Sequence, residues 1–582
     1  MEKQFVIETI ETKSGHMTLK VNDYFLHSKY NPIAEAQKFV EKQYEAHHVH
    51  ILFGYGLGYI VDSLKRQFKF NEPLIVIDPL FDYSLIEVQA RHKENEMDKL
   101  LYNSESINTL EYIIDSTKEL DFLNSFKVIC SPNFDKLFPE TFLQVLKTVK
   151  DIQQKSKVNE NTVIRDSEAW QKNLSENLIS IFEDRNLESL HQKYSWPVVV
   201  ASGGPSLTKQ LTLLKSIKDD VIIIAAGSTI NSLLAVGIEP DFVASIDGSE
   251  ASYNQFKDLN LKKTQLMYTV FNNPGIREKF SNSNYAFMAS SDVTIYNYLE
   301  SKLGVTLPKI LGGGSVAQYA YTLAQYISSG PIALIGQDLA YTNNQTHAAN
   351  NKQAEEIEES WKASDNMFTV EGFDGENVWT STMFYSMKLT FEQMIENYPP
   401  VNVVYNCTEG GAKLNGFAQK NFNDFCEEYI HEKKPNKEID NQSYLVSQDE
   451  WKKLQGILED ELKDYDQIIK HLLKGLAALE NNNSSTVFNN KILKKLDKVD
   501  IEIAKLYPNV QMDFIVSPIT IEVLKGFLEK ENETSVEKYT RVYNQTKTLY
   551  YKLLEATKKS KMYTENVIKR IDSEKIIKSE EL

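Results

Sequence analysis

Pro197-Val198-Val199-Val200-Ala201-Ser202-Gly203-Gly204-Pro205-Ser206-Leu207 carries the clearest structural signal in the chain. Three consecutive valines and an alanine predict a short strand buried on both faces. Two glycines then allow a sharp turn. Pro205 suits the first turn of a helix, where its missing N–H costs nothing, and Leu207, Leu211 and Leu214 recur at helical spacing toward the sheet. A glycine turn at a helix N-terminus lets backbone N–H groups approach an anion, and the helix dipole favours negative charge there. The stretch therefore predicts a phosphate-binding turn formed by Ser202, Gly203, Gly204 and Ser206.

The segments downstream repeat the pattern. Val221 to Ala226, Phe242 to Ile246, Gln265 to Thr269, Ile332 to Ile335 and Val401 to Tyr405 read as short buried strands with amphipathic segments between several of them. Such alternation predicts a mostly parallel sheet with helices on both faces. Ligands of open parallel sheets bind beyond the carboxyl ends of the strands. That places Gly227-Ser228-Thr229 and Asp247-Gly248-Ser249 toward the same pocket, with Ser228 a binding candidate. Asp247 is open to two roles, taking a ribose hydroxyl or metal, or capping the segment that follows. Gly312-Gly313-Gly314-Ser315, ahead of the amphipathic stretch Val316 to Ile327, is a second glycine loop feeding a helix, and two such loops suit a diphosphate or a phosphate plus a carboxylate. Gly336-Gln337-Asp338-Leu339-Ala340-Tyr341 ends another strand and leads to His347, the single histidine between residues 192 and 430. An imidazole a short distance from a strand end is a candidate general base at neutral pH.

Around this core the 582 residues divide into an expected Rossmann-like N-terminal domain (1–158), a helical connector (159–196), the central α/β domain (197–435) and a C-terminal helical domain (436–582). In the first, His48 to Phe53 reads as a strand, Gly54-Tyr55-Gly56-Leu57-Gly58 as a turn, Tyr59 to Phe68 as a helix and Leu74 to Asp78 as a second strand tipped by an acid. This is half of a dinucleotide-binding unit without the full glycine fingerprint, and a domain of that shape lacking a ligand is the favoured reading. In the last, Leu454, Leu458, Leu462, Tyr465, Ile469 and Leu472 recur at helical spacing as a core stripe.

Composition narrows the class. A formal charge of -17 makes nucleic acid a poor partner. No apolar run is long enough to span a bilayer and the N-terminus lacks a basic, apolar leader, so a cytoplasmic chain without membrane insertion is expected. Cys130, Cys407 and Cys426 are widely spaced and are expected as buried thiols. Asp464-Tyr465-Asp466 falls in a helical stretch where i and i+2 diverge, so it is not expected to chelate a metal.

Together, Ser202-Gly203-Gly204-Pro205-Ser206-Leu207, Gly237-Ile238-Glu239-Pro240-Asp241, Gly336-Gln337-Asp338-Leu339-Ala340-Tyr341, Thr346-His347-Ala348 and Thr408-Glu409-Gly410-Gly411-Ala412 resemble the motility-associated factor family of flagellin glycosyltransferases. Gly54-Tyr55-Gly56-Leu57-Gly58-Tyr59 resembles that family's N-terminal domain. The resemblance implies transfer of a nonulosonic acid, pseudaminic, legionaminic or related, from its CMP-activated donor to Ser or Thr of flagellin, with no cofactor or metal required. The central domain is also similar to bacterial sialyltransferases, where tyrosines just after the Gly-x-Asp strand end assist the departing phosphate and a later histidine is the base. Here Tyr341 stands one place beyond the expected tyrosine and His347 lies nearer than their histidine. This makes Asp338, Tyr341 and His347 the catalytic candidates, beside a nucleotide-sugar site of Ser202, Gly203, Gly204, Ser206, Ser228, Asp247, Gly313, Gly314 and Ser315. Two rivals remain. The Gly-Gly-Pro-Ser-Leu segment is shared with archaeal pterin pyrophosphokinases, and a non-catalytic flagellin-binding protein with a vestigial nucleotide site is the other.

Overall fold

The computed structural model describes residues 5–70, 72–80, 100–101, 110, 125–290, 293–362, 367–430, 437–439, 446–481, 487–488 and 490–580. The chain forms two compact units, one of residues 1–165 with 517–546 and one of residues 166–516 with 547–582.

The first unit contains a three-stranded antiparallel sheet (Ile7–Glu11, Met17–Val21, Tyr24–Phe25) and a parallel sheet in the order Leu100–Leu101, Leu74–Ile77, Val49–Phe53, Phe126–Cys130. The expected strand, glycine turn, helix and strand are present, the helix running from Tyr59 to Gln67 with Ile60, Val61 and Leu64 buried. The turn is filled from within. A Cβ on Gly54 would strike the Phe134 ring, one on Gly56 the His27 ring and one on Gly58 the Tyr55 hydroxyl. His27 Nε2 also accepts the Leu57 N–H at 2.9 Å. Asp78, the acid at the strand tip, is buried, accepts the Leu80 N–H, and is pushed up to about 7 by burial.

The second unit is built on a long sheet in the order Lys309–Ile310, Tyr285–Ala289, Gln265–Thr269, Phe242–Ser245, Ile222–Ala226, Val198–Ala201, Ile332–Ile335, Val404–Asn406, Ala418–Gln419, with Arg185–Asn186 paired to Tyr285–Ala289. Its pairings are parallel. Alternate side chains of each strand enter different cores. Val199, Ala201, Ile223 and Ala225 pack with Leu207, Leu211 and Leu214 on one face, whereas Val198, Val200, Ile222 and Ile224 pack with Ala320, Leu323 and Ile327 on the other. Burial on both faces is why these strands read as unbroken apolar runs rather than alternating ones.

Three details depart from the sequence reading. The strand expected at Val401 to Tyr405 spans Val404–Asn406, and Val401 and Val403 are exposed. The expected connector is the end of helix Pro139–Glu183, which sends Leu174, Leu178 and Ile179 into the central core. Its Asn173 and Asn177 amides donate to the Gly248, Phe271, Val270 and Asn272 carbonyls. Nor do the C-terminal helices form a compact unit of their own. Trp451, Leu454 and Leu458 of helix Gln448–Glu480, with Val567 and Ile571 near the C-terminus, belong to that same core, and residues 517–546 fall in the first unit. An amphipathic stripe announces that a helix buries one face, not which element covers it.

Candidate functional site

Along the long sheet the chain steps outward from Val198–Ala201 in one direction, then returns through helix Val316–Ile327 to Ile332–Ile335 and continues the other way. Neighbouring strands whose outgoing connections diverge leave a crevice at their carboxyl ends. Val198–Ala201 and Ile332–Ile335 are that pair, so the loops after them, Ser202 to Ser206 and Gly336 to Thr342, border the crevice.

Asp338 is the hub that ties these loops together. It is 1% exposed, and its carboxylate accepts Ser206 Oγ at 2.6 Å, the Ser206 N–H at 3.2 Å and Thr342 Oγ1 at 2.6 Å. Its backbone carbonyl accepts the Ala412 N–H at 2.7 Å. Burial raises its pKa above the usual carboxylate range, and the Ser206 and Thr342 donors partly offset this. Ser202 Oγ donates to Gln337 Oε1 at 2.6 Å, and Gln210, on the helix after the turn, donates to the Cys407 and Thr408 carbonyls and accepts the Gly336 N–H. The Thr408-Glu409-Gly410-Gly411-Ala412 motif thus forms a third loop on the same hub. Gly411 has φ +67° and its missing side chain makes room for the Asp338 backbone.

This network alters the picture of the phosphate turn. The Gly204 N–H goes to the Gly336 carbonyl at 2.8 Å and the Ser206 N–H to Asp338, so neither is available to an anion. Pro205 and Ser206 precede the helix, which begins at Leu207. Among the described residues, the N–H groups of Gly203, Ser228 and Thr229 donate to no group of the chain. A Cβ on Gly203 would sit 3.2 Å from the Asn351 amide nitrogen, 3.3 Å from Thr229 Oγ1 and 3.6 Å from the His347 ring, so these three side chains converge on Gly203.

His347 arrives there on a loop whose base is closed by the Gln345 to Glu356 bridge and whose tip is pinned by the Ala348 N–H to the Gly203 carbonyl (2.9 Å) and the Ala349 N–H to Thr208 Oγ1 (3.0 Å). Burial lowers the imidazole pKa, with the Gln353 backbone and Glu355 pulling it partly back. His347 Nδ1 is buried and has no hydrogen-bond partner among the described residues. A neutral imidazole with one nitrogen unengaged is the protonation state a general base requires. Tyr341 donates its N–H to the Trp379 carbonyl and sets its ring 5.1 Å from that of Phe384. Trp379 belongs to the antiparallel hairpin Met367–Glu371 and Asn377–Ser381, whose Thr380 Oγ1 donates to the Leu339 carbonyl. Of the ten non-glycine residues with φ above zero among the described residues, Leu339, Asn343, Asn344, Asn350 and Glu409 lie in these loops. Such backbone strain concentrates at working sites.

The other candidates fall at different distances from Gly203. Ser228 is in the cluster, its Oγ 3.4 Å from the Asn351 amide nitrogen. The second glycine loop reaches the same edge, since a Cβ on Gly227 would lie 3.7 Å from Val316. Ser315 is spent on a capping box with Gln318, Gly313 faces Gln318 and Thr390, and Gly314 faces open space. Asp247 sits one strand further out, exposed, with both oxygens on Ser249, whose own Oγ caps the next helix, so its side chain serves local capping. Asp241, in the Gly-Ile-Glu-Pro-Asp motif, binds the Ile223 N–H and Lys437 and is structural. Among the described residues no three His, Cys, Asp or Glu side chains are grouped as a metal set, and no helix is long and apolar enough to cross a membrane. Cys407 and Cys426 are buried free thiols, Cys130 a half-buried one. Asn351 was not legible as a site residue from sequence: it is one asparagine in a polar run, Ala349-Asn350-Asn351-Lys352, and only the folded loop sets it against Gly203.

Residues 172–344, under a third of the chain, match the family described as MptE-like, 6-hydroxymethylpterin diphosphokinase MptE-like. No protein of curated function matches the sequence. Among solved structures the chain is similar to the MAf glycosyltransferase from Magnetospirillum magneticum AMB-1, with a TM-score of 0.51 and 13% sequence identity over 97% of this chain and 91% of that one. At that identity the likeness establishes a shared fold over nearly the whole length of both chains.

Proposed function

We propose, from the premise that this chain has the fold of a Maf glycosyltransferase, that it is a glycosyltransferase carrying a nonulosonic acid from a CMP-activated donor to Ser or Thr of flagellin in the cytoplasm. The observation that carries the reading is the convergence of Gly203, Ser228, Thr229 and a depressed-pKa His347 at the switch point of the long sheet. A CMP-sugar already holds an activated glycosidic bond. The protein needs to seat the phosphate, receive it as the bond breaks and take a proton from the attacking hydroxyl. The unengaged backbone N–H groups seat the phosphate, and His347 takes the proton. Tyr341, on the loop that follows Ile332–Ile335, serves as donor to the leaving oxygen. Asp338 acts by holding the three loops in register, because its oxygens are already occupied by Ser206 and Thr342. No metal or cofactor is assigned a step.

A pyrophosphokinase-like reading is favoured by one observation, the match over residues 172–344. That match takes in the glycine turn and most of the sheet but ends before His347, its loop and the hairpin, which supports a nucleotide site shared in origin and a different reaction. Incubating the protein with flagellin and CMP-nonulosonic acids, with and without EDTA, and reading intact flagellin mass tests the proposal. A mass increase of one sugar residue is expected in both conditions. Pterin pyrophosphorylation with no change in flagellin mass would replace it.

A further inference from the structure

Asn351 lies in none of the motifs that mark this chain, yet it is 5% exposed and sits at the tip of the His347 loop. Its Oδ1 accepts the Gln353 N–H at 2.9 Å, which turns the amide so that Nδ2 faces the crevice as a donor only. Among the described residues that nitrogen donates one hydrogen bond, a long one, to Ser228 Oγ at 3.4 Å. It converges with Thr229 Oγ1 and the His347 ring on Gly203, whose N–H, like those of Ser228 and Thr229, donates to no group among the described residues. A buried donor-only nitrogen with a single long bond, set beside unengaged N–H groups, is matched by a ligand that only accepts.

We infer that Asn351 is a ligand-binding residue, donating through Nδ2 to the phosphate of a nucleotide seated at Gly203, Ser228 and Thr229. The inference rests on the reading of the crevice as a nucleotide-sugar site and adds a residue that makes its anion specificity depend on the His347 loop. The loop that brings the base also completes the phosphate seat, so a donor bound without Asn351 is bound without the base in place.

Calorimetry on the full-length chain with CMP and with pyrophosphate as probes tests this at pH 8 and pH 5.5. Asn351→Asp keeps the shape and the acceptor for Gln353 but turns a donor into a carboxylate facing the phosphate. It should weaken CMP binding roughly 100-fold or more at pH 8, and part of the loss should return at pH 5.5 as the new carboxylate takes up a proton. A residue that merely held the loop would show no such recovery. Asn351→Ala should lose roughly tenfold at both pH values. If a folded Asn351→Asp binds like wild type, the inference is overturned while the nucleotide reading stands. Should that variant fail to fold, unchanged affinity in Asn351→Ala overturns it equally. If wild type binds pyrophosphate but not CMP and Asn351→Asp loses it, the inference stands and the cytidylate reading falls. If wild type binds neither probe, both fall.

Discussion

Gly204→Ala adds one methyl group at the centre of the loop hub, and the structure decides its sign. The backbone of Gly204 is not left-handed, so alanine is conformationally acceptable, and the unfolded chain would lose entropy worth about 0.4–1 kcal/mol in the variant's favour. The new Cβ, however, would lie 2.2 Å from Asp338 Oδ2 and 2.5 Å from the Gly336 carbonyl oxygen. Relieving that overlap takes about 1 Å of movement. The bonds in the way are Ser206 Oγ and N–H to Asp338, and Gly204 N–H to Gly336. Bonds to a carboxylate contribute ~1.5–3 kcal/mol and a neutral backbone bond ~1 kcal/mol. The expected net loss is roughly 3 kcal/mol, read from urea-denaturation curves, together with at least a tenfold fall in CMP affinity. Gly314→Ala is the matched control, because nothing lies within 4 Å of its Cβ. It should be neutral to slightly stabilising, and its CMP affinity reports whether the second glycine loop touches the donor. A Gly204→Ala protein within about 0.5 kcal/mol of wild type would refute the hub.

Three further outcomes are expected. His347→Ala should leave CMP binding nearly intact and slow transfer roughly 10²-fold. Since burial lowers the pKa of this histidine, wild-type turnover should hold as pH falls through the ordinary histidine range and drop only below it, a profile the variant would lose. His50, fully buried and stacked on Tyr44, is pushed down to about 4 by burial. Its folded value lies below its unfolded one, so the stability it confers is complete above the unfolded value near ~6.5 and lost as pH falls toward about 4. The acid loss of roughly 3 kcal/mol in the first unit should disappear in His50→Phe, measured by melts at pH 7 and pH 4.5. Deleting residues 436–582 strips Trp451, Leu454, Leu458, Val567 and Ile571 from the central core, so the truncated chain should fail to fold rather than bind CMP without modifying flagellin; a soluble product with native circular dichroism would contradict this.

Strands buried on both faces and glycine turns feeding helices are local patterns, which is why the parallel sheet, the turn at Ser202 to Ser206 and the helix from Leu207 were legible in the sequence. Tyr285–Ala289 and Lys309–Ile310 were not, the first because Tyr-Ala-Phe-Met-Ala holds no β-branched residue and the second because two residues carry no period. Residue type also marked His347 as a candidate base. It could not separate Asp338, a conspicuous acid occupied by its own loops, from Asn351, an inconspicuous amide whose nitrogen makes one long bond at Gly203 and Ser228. Hydrogen-bond satisfaction is a property of partners distant in sequence, here 132 residues apart for Ser206 and Asp338.

By itself, then, the sequence determined the periodicities and the chemical inventory: which segments are strands or helices, where the chain can turn sharply, and which side chains can carry a proton or seat an anion. Only the tertiary structure decided which strands are neighbours and hence where the sheet switches direction, which backbone N–H groups remain unengaged, and which core covers each helical stripe. Periods of 2 and 3.6 and the freedom of glycine act over a few residues of backbone, whereas partner choice is settled by burial and packing summed over the whole folded chain.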